Sequence, residues 1–219
     1  MENNKGTNTL FWFIIGEVFI IADHYYSNKP TSAHDYQEFE MENRGVNLKL
    51  ITDAGIFSKN RLDPGTKLLI DSLPLGPDQK KVFDLGCGYG PIGLTIARLL
   101  PESTIYLSDI NERAVELGIK NAQLNGLTNV RIKQGDGFEA FSDEKFDLIV
   151  TNPPIRAGKQ IIYGLIDQAY QALNNGGRLV LVIKTKHGAK SMAAKLNSVF
   201  NNVTELEKGG GYRVFESRK

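Results

Sequence analysis

The pattern of apolar and polar residues changes near residue 81 of this 219-residue chain. From there on, short apolar runs typical of strands buried on both faces alternate with stretches that have the period of amphipathic helices. The predicted strands are residues 81–85, 104–108, 130–134, 146–151 and 178–184. The predicted helices are residues 91–99, 112–124, 159–174 and 189–200. This alternation predicts an α/β fold, a doubly wound Rossmann-like sheet with right-handed crossovers.

Strands are also predicted on both sides of this alternating region. Polar and apolar residues alternate over 35–53 about an Asn-Arg-Gly turn, which predicts an N-terminal β-hairpin, and residues 65–73 have a helical period. Residues 202–208 and 211–217 predict two closing strands, which pair antiparallel because only a short glycine-rich link joins them. We therefore expect a seven-stranded, mostly parallel sheet with an antiparallel last strand.

The most apolar run of the chain, residues 10–22, stands apart from this pattern. It is about 13 residues long and contains Glu17, so it is shorter than the ~20 apolar residues of a membrane-spanning helix. One Lys precedes it and no small-residue cleavage site comes after it, which is a poor match to a signal peptide. A peripheral element packed on the domain, a weak membrane anchor and a non-native extension remain open. We divide the chain into this extension (1–22), a hairpin and helix region (23–79) and the α/β domain (80–219).

Charge and cysteine content narrow the classes of partner and compartment. The formal net charge is +1, which gives no argument for nucleic acid from the whole chain. Residues 184–219 carry eight Lys or Arg against three Glu, a local bias that suits phosphates and equally a solvated face. The single cysteine, Cys87, excludes an intramolecular disulfide and suits a reducing cytoplasm. The three histidines are scattered without ligand spacing, so we predict no metal site.

A glycine-rich turn joins the first strand of the α/β region to its first helix, in the sequence VFDLGCGYGPIG. Gly86, Gly88 and Gly90 allow a tight turn that a ligand can approach without interference from Cβ atoms. The helix that begins near Pro91 is expected to aim free N–H groups at that ligand. Gly88, Gly90 and Gly93 also match the dinucleotide fingerprint, so that motif alone does not separate a dehydrogenase from other nucleoside-binding proteins.

Three acidic residues accompany the ends of the predicted strands. Asp84, two residues before the first glycine and expected inside the turn, would repel a pyrophosphate but suit the ammonium group of an amino-acid-bearing nucleoside. Asp109 ends the second strand, where an acid can accept from both ribose hydroxyls. Asp136 and Gly137 end the third strand, placed to accept from an adenine amino group. The structural alternatives are a turn-capping acid for Asp84, a helix N-cap for Asp109 and a plain turn for Asp136 and Gly137.

The fourth strand of the α/β region, KFDLIV, runs directly into the sequence TNPPIRAGK. Pro153 and Pro154 cannot donate to a strand ladder and their φ angles are fixed, so they end the strand abruptly and stiffen the turn after it. A rigid turn at the carboxyl end of a strand is where open α/β sheets bind their ligands. Asn152 is therefore a candidate functional residue, and a simple strand terminator is the alternative.

Taken together, these motifs resemble those of class I S-adenosylmethionine-dependent methyltransferases. The segments that occur in the order and spacing of that class are Asp84 to Gly90, Asp109, Asp136 and Asn152-Pro153-Pro154. More narrowly, the sequences GIFSKNRLDPGTKLLIDSL, DLGCGYGPIG and TNPPIRAGK resemble the small-domain family of guanine-N2 methyltransferases that act on small-subunit ribosomal RNA. The resemblance runs from about His24 to the C-terminus, and residues 1–22 lie outside it.

The resemblance implies a role for each of these positions and adds several more. S-adenosylmethionine is the implied cofactor, and its implied contacts are Asp84, Gly86, Gly88, Gly90, Asp109, Ile110, Asp136, Gly137 and Asn152. The implied catalytic residues are Asn152, Pro153 and Pro154, with the Asn152 side-chain oxygen and the Pro153 carbonyl accepting the N–H bonds of the target amine. The implied substrate contacts are Phe57, Ile155, Arg156 and Lys159. Lys184 and Lys186 are further candidates for phosphate contacts.

Alternatives remain open for the substrate and for the activity. Phe57 suits an aromatic wall and equally a core position, and many amino-methylating relatives have an aromatic residue where Ile155 stands. Another planar nitrogen, in adenine (N6) or a protein glutamine, is an alternative target. A NAD-dependent oxidoreductase and a catalytically silent RNA-binding protein are the rival functions. The expected partner is small-subunit ribosomal RNA or the ribosomal subunit, in the cytoplasm, with no stable membrane partner and a monomeric chain favoured.

Overall fold

A computed structural model describes residues 34–53, 61–154 and 157–219, so the apolar run at residues 10–22 lies outside the described residues. The strands are β1 (Gln37–Asn43), β2 (Val46–Thr52), β3 (Lys81–Leu85), β4 (Thr104–Asp109), β5 (Val130–Gln134), β6 (Phe146–Thr151), β7 (Leu173–Lys184), β8 (Thr204–Gly209) and β9 (Tyr212–Arg218). The α-helices are α1 (Pro64–Ser72), α2 (Pro91–Leu99), α3 (Glu112–Leu124), α4 (Lys159–Ala172) and α5 (Ala189–Phe200). Among these described helices, none is both long and apolar enough to cross a membrane.

The main sheet has seven strands in the order β5-β4-β3-β6-β7-β9-β8. The first five are parallel, and β9 runs antiparallel to both of its neighbours. The chain moves outward from β3 to β5 and then returns to the other side of β3 with β6. The strand order therefore reverses between β3 and β6, which is where open α/β sheets form their ligand crevice. The predicted fold class, including the hairpin β1–β2, is confirmed.

Two apolar layers cover the two faces of the sheet. On one face, helices α1, α2 and α3 and the hairpin share a single cluster of buried residues with the sheet. On the other face, α4 and α5 pack against buried side chains of the same strands. Because both faces are covered, the central strands are apolar throughout, which is why β6 is a nearly continuous apolar run.

The hairpin turn explains an arginine in an unusual backbone conformation. Arg44 (φ 51°) and Gly45 (φ 73°) both have left-handed φ values, as the two central residues of a type I′ turn require. The Arg44 guanidinium donates to the carbonyls of Ile70 (3.1 Å) and Leu73 (2.7 Å) at the C-terminal end of α1. The same two carbonyls also accept from the backbone N–H groups of Leu73 (3.3 Å) and Leu75 (2.9 Å), respectively, so the arginine adds a second bond to each and fixes the hairpin against α1.

The outer edge of β2 is paired by side chains of α3 instead of by another strand. The Asn125 amide accepts from Lys49 N (3.0 Å) and donates to Lys49 O (2.7 Å). The Asn121 amide does the same with Ile51, at 2.7 and 3.0 Å, and also donates to Tyr89 O in the glycine turn at 2.9 Å. The hairpin, α3 and the glycine turn are thus joined through one side chain.

Within residues 81–200, three predicted boundaries were wrong at one end, and outside this range α1, β8 and β9 are each shifted by one or two residues. Helix α4 ends at Ala172 and not at residue 174, because Leu173 is already extended (ψ 144°). Strand β7 begins at Leu173 and not at residue 178, because its first residues pair with β6 and with the end of the chain. Gly176 N donates to Lys219 O and Lys219 N donates to Gly177 O, each at 3.0 Å. Strand β4 is one residue longer than predicted and includes Asp109.

Candidate functional site

The carboxyl ends of β3, β4 and β6 meet at the point where the strand order reverses. The Thr151 hydroxyl, at the end of β6, donates to the carbonyl of Leu85, at the end of β3 (2.8 Å). The carbonyl of Ser108, in β4, accepts from both Gly86 N and Cys87 N at 2.9 Å. The glycine turn is therefore held between the ends of two neighbouring strands, and the Asn-Pro-Pro turn after β6 lies beside it.

The three turn glycines have backbone conformations that other residues rarely adopt. Gly86, Gly88 and Gly90 have φ values of 71°, 57° and 94°. Among the residues that the structure describes, none has an atom within 4 Å of a Cβ atom added to Gly86 or Gly88. The turn combines a fixed conformation with an accessible backbone, which is what close approach of a ligand requires.

Asp84 lies behind the glycine turn and not inside it as the sequence suggested. It is the fourth residue of β3, it is fully buried, and its Oδ2 accepts from Gly93 N of α2 at 2.8 Å. The expectation that α2 aims free N–H groups at a ligand is therefore wrong for Gly93. Since Pro91 has no N–H, the first turn of α2 offers few donors to a phosphate.

The second oxygen of Asp84 has no hydrogen-bond partner within the part of the chain that the structure describes. Burial raises the pKa of Asp84 from 3.8 to about 7, the bond from Gly93 opposes this, and the nearby Asp109 carboxylate adds to it. An unpartnered buried carboxylate oxygen is best satisfied by a cationic or N–H-bearing group. The environment of Asp84 therefore favours a positively charged ligand.

Asp109 organises the backbone on both sides of the site. Its Oδ2 accepts from Gly88 N and its Oδ1 from Asn111 N, both at 2.9 Å. Burial raises its pKa, and the bonds from backbone N–H groups oppose the shift. Asn111, and not Asp109, is the N-cap of α3, so the N-cap alternative for Asp109 is wrong. Each carboxylate oxygen retains a lone pair for a ribose hydroxyl.

The turn after β5, which contains Asp136 and Gly137, lies next to Asp109. Gly135 N donates to Asp109 O at 3.1 Å, and the Ser108 hydroxyl donates to the carbonyl of Gly137 at 3.2 Å. The side chain of Asp136 is exposed. Ile110, half-buried, comes directly after Asp109, and its carbonyl accepts from the Gln134 amide at 3.0 Å.

Asn152 is held by two residues that sequence reasoning missed. Its Nδ2 donates to the Thr66 hydroxyl (3.0 Å) and to Asp63 Oδ2 (3.3 Å), at the start of α1. Across residues 34–53, 61–154 and 157–219 no donor to Asn152 Oδ1 is present. Pro153 is buried and Pro154 half-buried. The Asp-Pro pair at 63–64 is a helix-start signal that could have identified Asp63 as an N-cap, but nothing local connects it to Asn152.

The predicted substrate contacts are only partly described. Lys159 is the first residue of α4, is exposed, and has its Nζ 5.1 Å from the Tyr163 ring centroid. Lys184 ends β7, with its Nζ 5.3 Å from the centroid of Tyr212, and Lys186 is exposed in the next turn. Phe57, Ile155 and Arg156 lie outside the described residues.

A surface groove of about 300 Å³ lies elsewhere on the sheet. One of its lining residues, Glu144, bonds to Lys81 at the amino end of β3 (2.6 Å). Ligand sites of open α/β sheets lie at the carboxyl ends, so this groove is separate from the candidate site. The residues that line it are Arg131, Ile132, Lys133, Ala140, Phe141, Ser142, Asp143 and Glu144.

Comparison with known proteins identifies the family of the chain. A family model described as the methyltransferase small domain matches residues 47–216, from β2 to β9. The chain belongs to the methyltransferase small-domain family. The match includes the glycine turn, the three acids and the Asn-Pro-Pro turn. The predicted class, a class I S-adenosylmethionine-dependent methyltransferase, is confirmed, and S-adenosylmethionine is the cofactor of this class.

The chain is similar to a protein of its own length and to two longer ribosomal RNA methyltransferases. A Bacillus subtilis protein, YbxB, is 40% identical over 200 residues, covering 91% of this chain and all of that protein. Ribosomal RNA small subunit methyltransferase C of Pseudomonas entomophila is 35% identical, covering 74% of this chain and 49% of its own. Ribosomal RNA large subunit methyltransferase G of Shewanella sediminis is 30% identical, covering 80% and 44%. This chain spans about half the length of those two ribosomal RNA methyltransferases.

A solved structure of the same family supports the fold. The Thermus thermophilus 16S rRNA N2 G1207 methyltransferase (RsmC), in complex with AdoMet and guanosine, superimposes with a TM-score of 0.76 and 26% identity. The superposition covers 87% of this chain and 52% of that one. The small-domain fold of the present chain therefore corresponds to about half of that enzyme. The roles of individual residues in the present chain remain predictions.

Replacing Asp109 with alanine should weaken S-adenosylmethionine binding by about 10- to 150-fold, because a charge-assisted hydrogen bond contributes roughly 1.5–3 kcal/mol. The loss of the predicted ribose acceptor and the loss of the partner of Gly88 N–H act in the same direction. Titration calorimetry on the purified variant measures the change. Asp143→Ala, an exposed acid in the groove beside β5, is the control and should bind as the wild type does. Equal affinities of Asp109→Ala and wild type would remove Asp109 from the site.

Proposed function

We propose that this chain transfers the methyl group of S-adenosylmethionine to an exocyclic amine, guanine N2 of small-subunit ribosomal RNA. The observation that carries the proposal is the side chain of Asn152, whose amide nitrogen is held by Asp63 and Thr66 beside the glycine turn. The Thermus thermophilus relative, an N2 methyltransferase bound to guanosine, supports the choice of guanine. The reaction would take place in the cytoplasm, on ribosomal RNA or an assembled subunit.

The residues at the strand ends fit the proposed cofactor. The open faces of Gly86 and Gly88 suit a ligand that lies against the backbone, and the unpartnered oxygen of Asp84 suits a nearby positive charge. When bound, S-adenosylmethionine would supply a methyl group on a sulfonium, whose sulfur leaves as a neutral thioether and makes it a good methyl donor. A strong base is therefore not required of the protein. Asp84 would hold the amino-acid end and Asp109 the ribose.

The same geometry disfavours a nicotinamide dinucleotide. A pyrophosphate needs N–H donors at the start of α2. There Pro91 has none, and the N–H of Gly93 is bonded to Asp84. The Asp84 carboxylate would add repulsion. The oxidoreductase alternative therefore has the glycine pattern in its favour and the electrostatics against it.

The chain's own contribution to the chemistry would be orientation of the amine. The lone pair of a guanine amine is delocalised into the ring, which makes the nitrogen a poor nucleophile. If Asn152 Oδ1 and the Pro153 carbonyl accept its two N–H bonds, the nitrogen becomes pyramidal and its lone pair points towards the methyl group. Good alignment can lower a barrier by roughly 7–11 kcal/mol. The proton leaves to water after transfer.

The RNA would be held by cations around the same edge of the sheet. Lys159 begins α4, Lys184 ends β7 and Lys186 lies in the turn just after it. Such contacts would hold phosphates without reading sequence. The target base must also leave its stack, which requires a few kcal/mol at a paired site. Removing a guanine from its stack in a single-stranded or terminal loop would require less free energy.

Methyl transfer to ribosomal RNA tests the proposal directly. Purified chain and labelled S-adenosylmethionine are incubated with ribosomal RNA, and separately with subunits, from a strain that lacks the gene. We expect label in the small-subunit RNA and N2-methylguanosine in its nucleoside digest by mass spectrometry. If the label appears instead in N6-methyladenosine, in protein or only in large-subunit RNA, the labelled molecule is the substrate and guanine N2 of the small subunit is not. No transfer to any of these would overturn the activity.

Cofactor choice is tested without a substrate. Calorimetry should show micromolar-range binding of S-adenosylmethionine or its demethylated product, and negligible binding of NAD. The reason is that the Asp84 carboxylate repels a pyrophosphate and the Gly93 N–H is already bonded. Binding of NAD without binding of S-adenosylmethionine would favour the oxidoreductase. The two measurements on one protein preparation serve as controls for each other.

A further inference from the structure

We infer that Asp63, Thr66 and Tyr212 form a positioning network that holds the amide of Asn152 in one orientation, with its oxygen free for the target amine. The inference rests on the proposed function, because the amine is the group that the free oxygen would receive. It assigns a role to Asp63 and Thr66, at the start of α1, and adds Tyr212 from β9. None of them lies in the glycine turn, at an acidic strand end or in the Asn-Pro-Pro turn.

The network consists of four hydrogen bonds, three between side chains and one from the backbone N–H of Thr66. Asp63 Oδ2 accepts from Thr66 N (2.9 Å) and from Asn152 Nδ2 (3.3 Å). Thr66 Oγ1 accepts from the same Asn152 nitrogen at 3.0 Å. The Tyr212 hydroxyl donates to Asp63 Oδ1 at 3.3 Å. Asp63, Thr66 and Tyr212 are 8%, 5% and 8% exposed, so water competes weakly for these bonds.

The charge of Asp63 determines which way the Asn152 amide faces. An ionised carboxylate only accepts hydrogen bonds, whereas the two ends of an asparagine amide differ as donor and acceptor. A 180° rotation of the Asn152 amide would put its oxygen against the Asp63 carboxylate, and two acceptors repel. The amide nitrogen therefore faces α1 and the oxygen faces away from it. The Thr66 hydroxyl adds a second acceptor on the nitrogen side.

Close packing holds the three elements of the network together. A Cβ atom on Gly65 would lie 2.5 Å from the Tyr212 ring and 2.9 Å from Asp63 Oδ2, so only glycine allows the ring to approach. Asp63 is 89 residues before Asn152 and 149 before Tyr212 in the chain. The network thus joins the start of α1, the end of β6 and the start of β9. A side chain held by packed neighbours needs less reorganisation at the moment of reaction.

A purely structural alternative exists, since Asp63 is also the N-cap of α1. Two conservative variants separate the roles. Asp63→Asn retains an oxygen for Thr66 N but loses the charge that orients Asn152. Thr66→Val retains the shape and the backbone N–H but loses the hydroxyl acceptor. Neither substitution removes a group that touches cofactor or substrate in the proposed mechanism.

Kinetics of methyl transfer give the first test. Each variant should lower kcat about tenfold, with the KM for RNA and the Kd for S-adenosylmethionine nearly unchanged. Thr66→Ser, which restores the hydroxyl, should recover most of the loss. In an Asn152→Ala background, Asp63→Asn should cause no further loss of kcat, because the group that it positions is absent. Asp71→Asn, an exposed acid on α1 that pairs with Lys67, is the matched control and should retain wild-type kcat.

A second readout does not depend on activity. In a nitrogen-15 spectrum, the side-chain amide of Asn152 is assigned by its absence in Asn152→Ala. Its two protons should be well separated and slow to exchange with water in the wild type, and faster to exchange in Asp63→Asn and Thr66→Val. Unchanged amide exchange in both folded variants would overturn the network whatever the enzyme does. Faster exchange without any methyl transfer by the wild type would uphold the network and overturn the proposed function. If both variants retain the wild-type kcat, Asp63 acts only as the N-cap of α1 and the positioning role is refuted.

Discussion

Replacing Asn152 with alanine is expected to lower the turnover number for methyl transfer by 10²–10³. The variant loses one hydrogen bond that would form fully only in the transition state, and such bonds contribute about 2.7–4 kcal/mol by analogy with oxyanion-hole donors. Affinity for S-adenosylmethionine should change little, because the residues predicted to hold the amino acid and the ribose, Asp84 and Asp109, remain. Single-turnover kinetics and calorimetry on the same preparation measure the two quantities.

The control for Asn152 tests the strand-terminator alternative. If Asn152 only ends β6, the alanine variant should melt at a lower temperature and retain its specific activity per folded molecule. That outcome would refute the catalytic role. Asn174→Ala, an exposed asparagine of β7 that bonds to Asp147 (2.7 Å), should leave turnover unchanged. Asn152→Asp should be as inactive as alanine, because a carboxylate at this position would face the Asp63 carboxylate.

Replacing Asp84 with asparagine is expected to stabilise the protein in the absence of cofactor, and only above acidic pH. Burial raises the folded-state pKa of Asp84 from 3.8 to about 7. Between these values the unfolded chain loses the proton first, so the wild type becomes less stable as pH rises from about 4 to 7 and is constant above. A shift of about three pKa units corresponds to roughly 4 kcal/mol. Asparagine has no such titration and retains an acceptor for Gly93 N.

Urea denaturation of wild type and Asp84→Asn at several pH values measures this difference. The difference in unfolding free energy should approach zero near pH 4 and reach its maximum above pH 7. The same variant should bind S-adenosylmethionine more weakly at pH 8, because a neutral amide does not attract the ammonium group. A pH-independent stability difference would mean that Asp84 is not the group that titrates. Unweakened binding would separate Asp84 from the ligand.

The sequence predicts elements best where their ends are marked by local chemistry. Helix α5 lies between Gly188 and Asn201, both with left-handed φ, and its bounds were predicted to the residue. Helix α2 likewise begins with proline directly after Gly90. The start of β7 was missed because Gly176 and Gly177 have low strand propensity. They belong to the strand because the last residue of the chain pairs with them, Gly176 with a left-handed φ of 79°, and local propensity does not contain that contact.

For the site, sequence predicts which turns converge but not how each side chain is used. Asp84 was recognised as important, yet its burial behind the turn depends on Gly93, whose missing Cβ allows the carboxylate to approach. Asp63 and Tyr212 were not recognised at all. Their bonds join residues that are 89 and 149 positions apart, so only the folded chain brings them together. The sequence motifs therefore indicate which chemistry the site can perform, and the long-range contacts of the folded chain fix the orientation of its side chains.

The asparagine pairs on the outer edge of β2 have a consequence for association between molecules. An open strand edge can accept a strand from another chain, which is a common route to aggregation. Here the N–H and carbonyl groups of Lys49 and Ile51 are already bonded to Asn125 and Asn121. A foreign strand would have to displace four hydrogen bonds before it could add to the hairpin. The side chains of Asn121 and Asn125 therefore block strand addition from another molecule, and no further strand is needed to cover this edge.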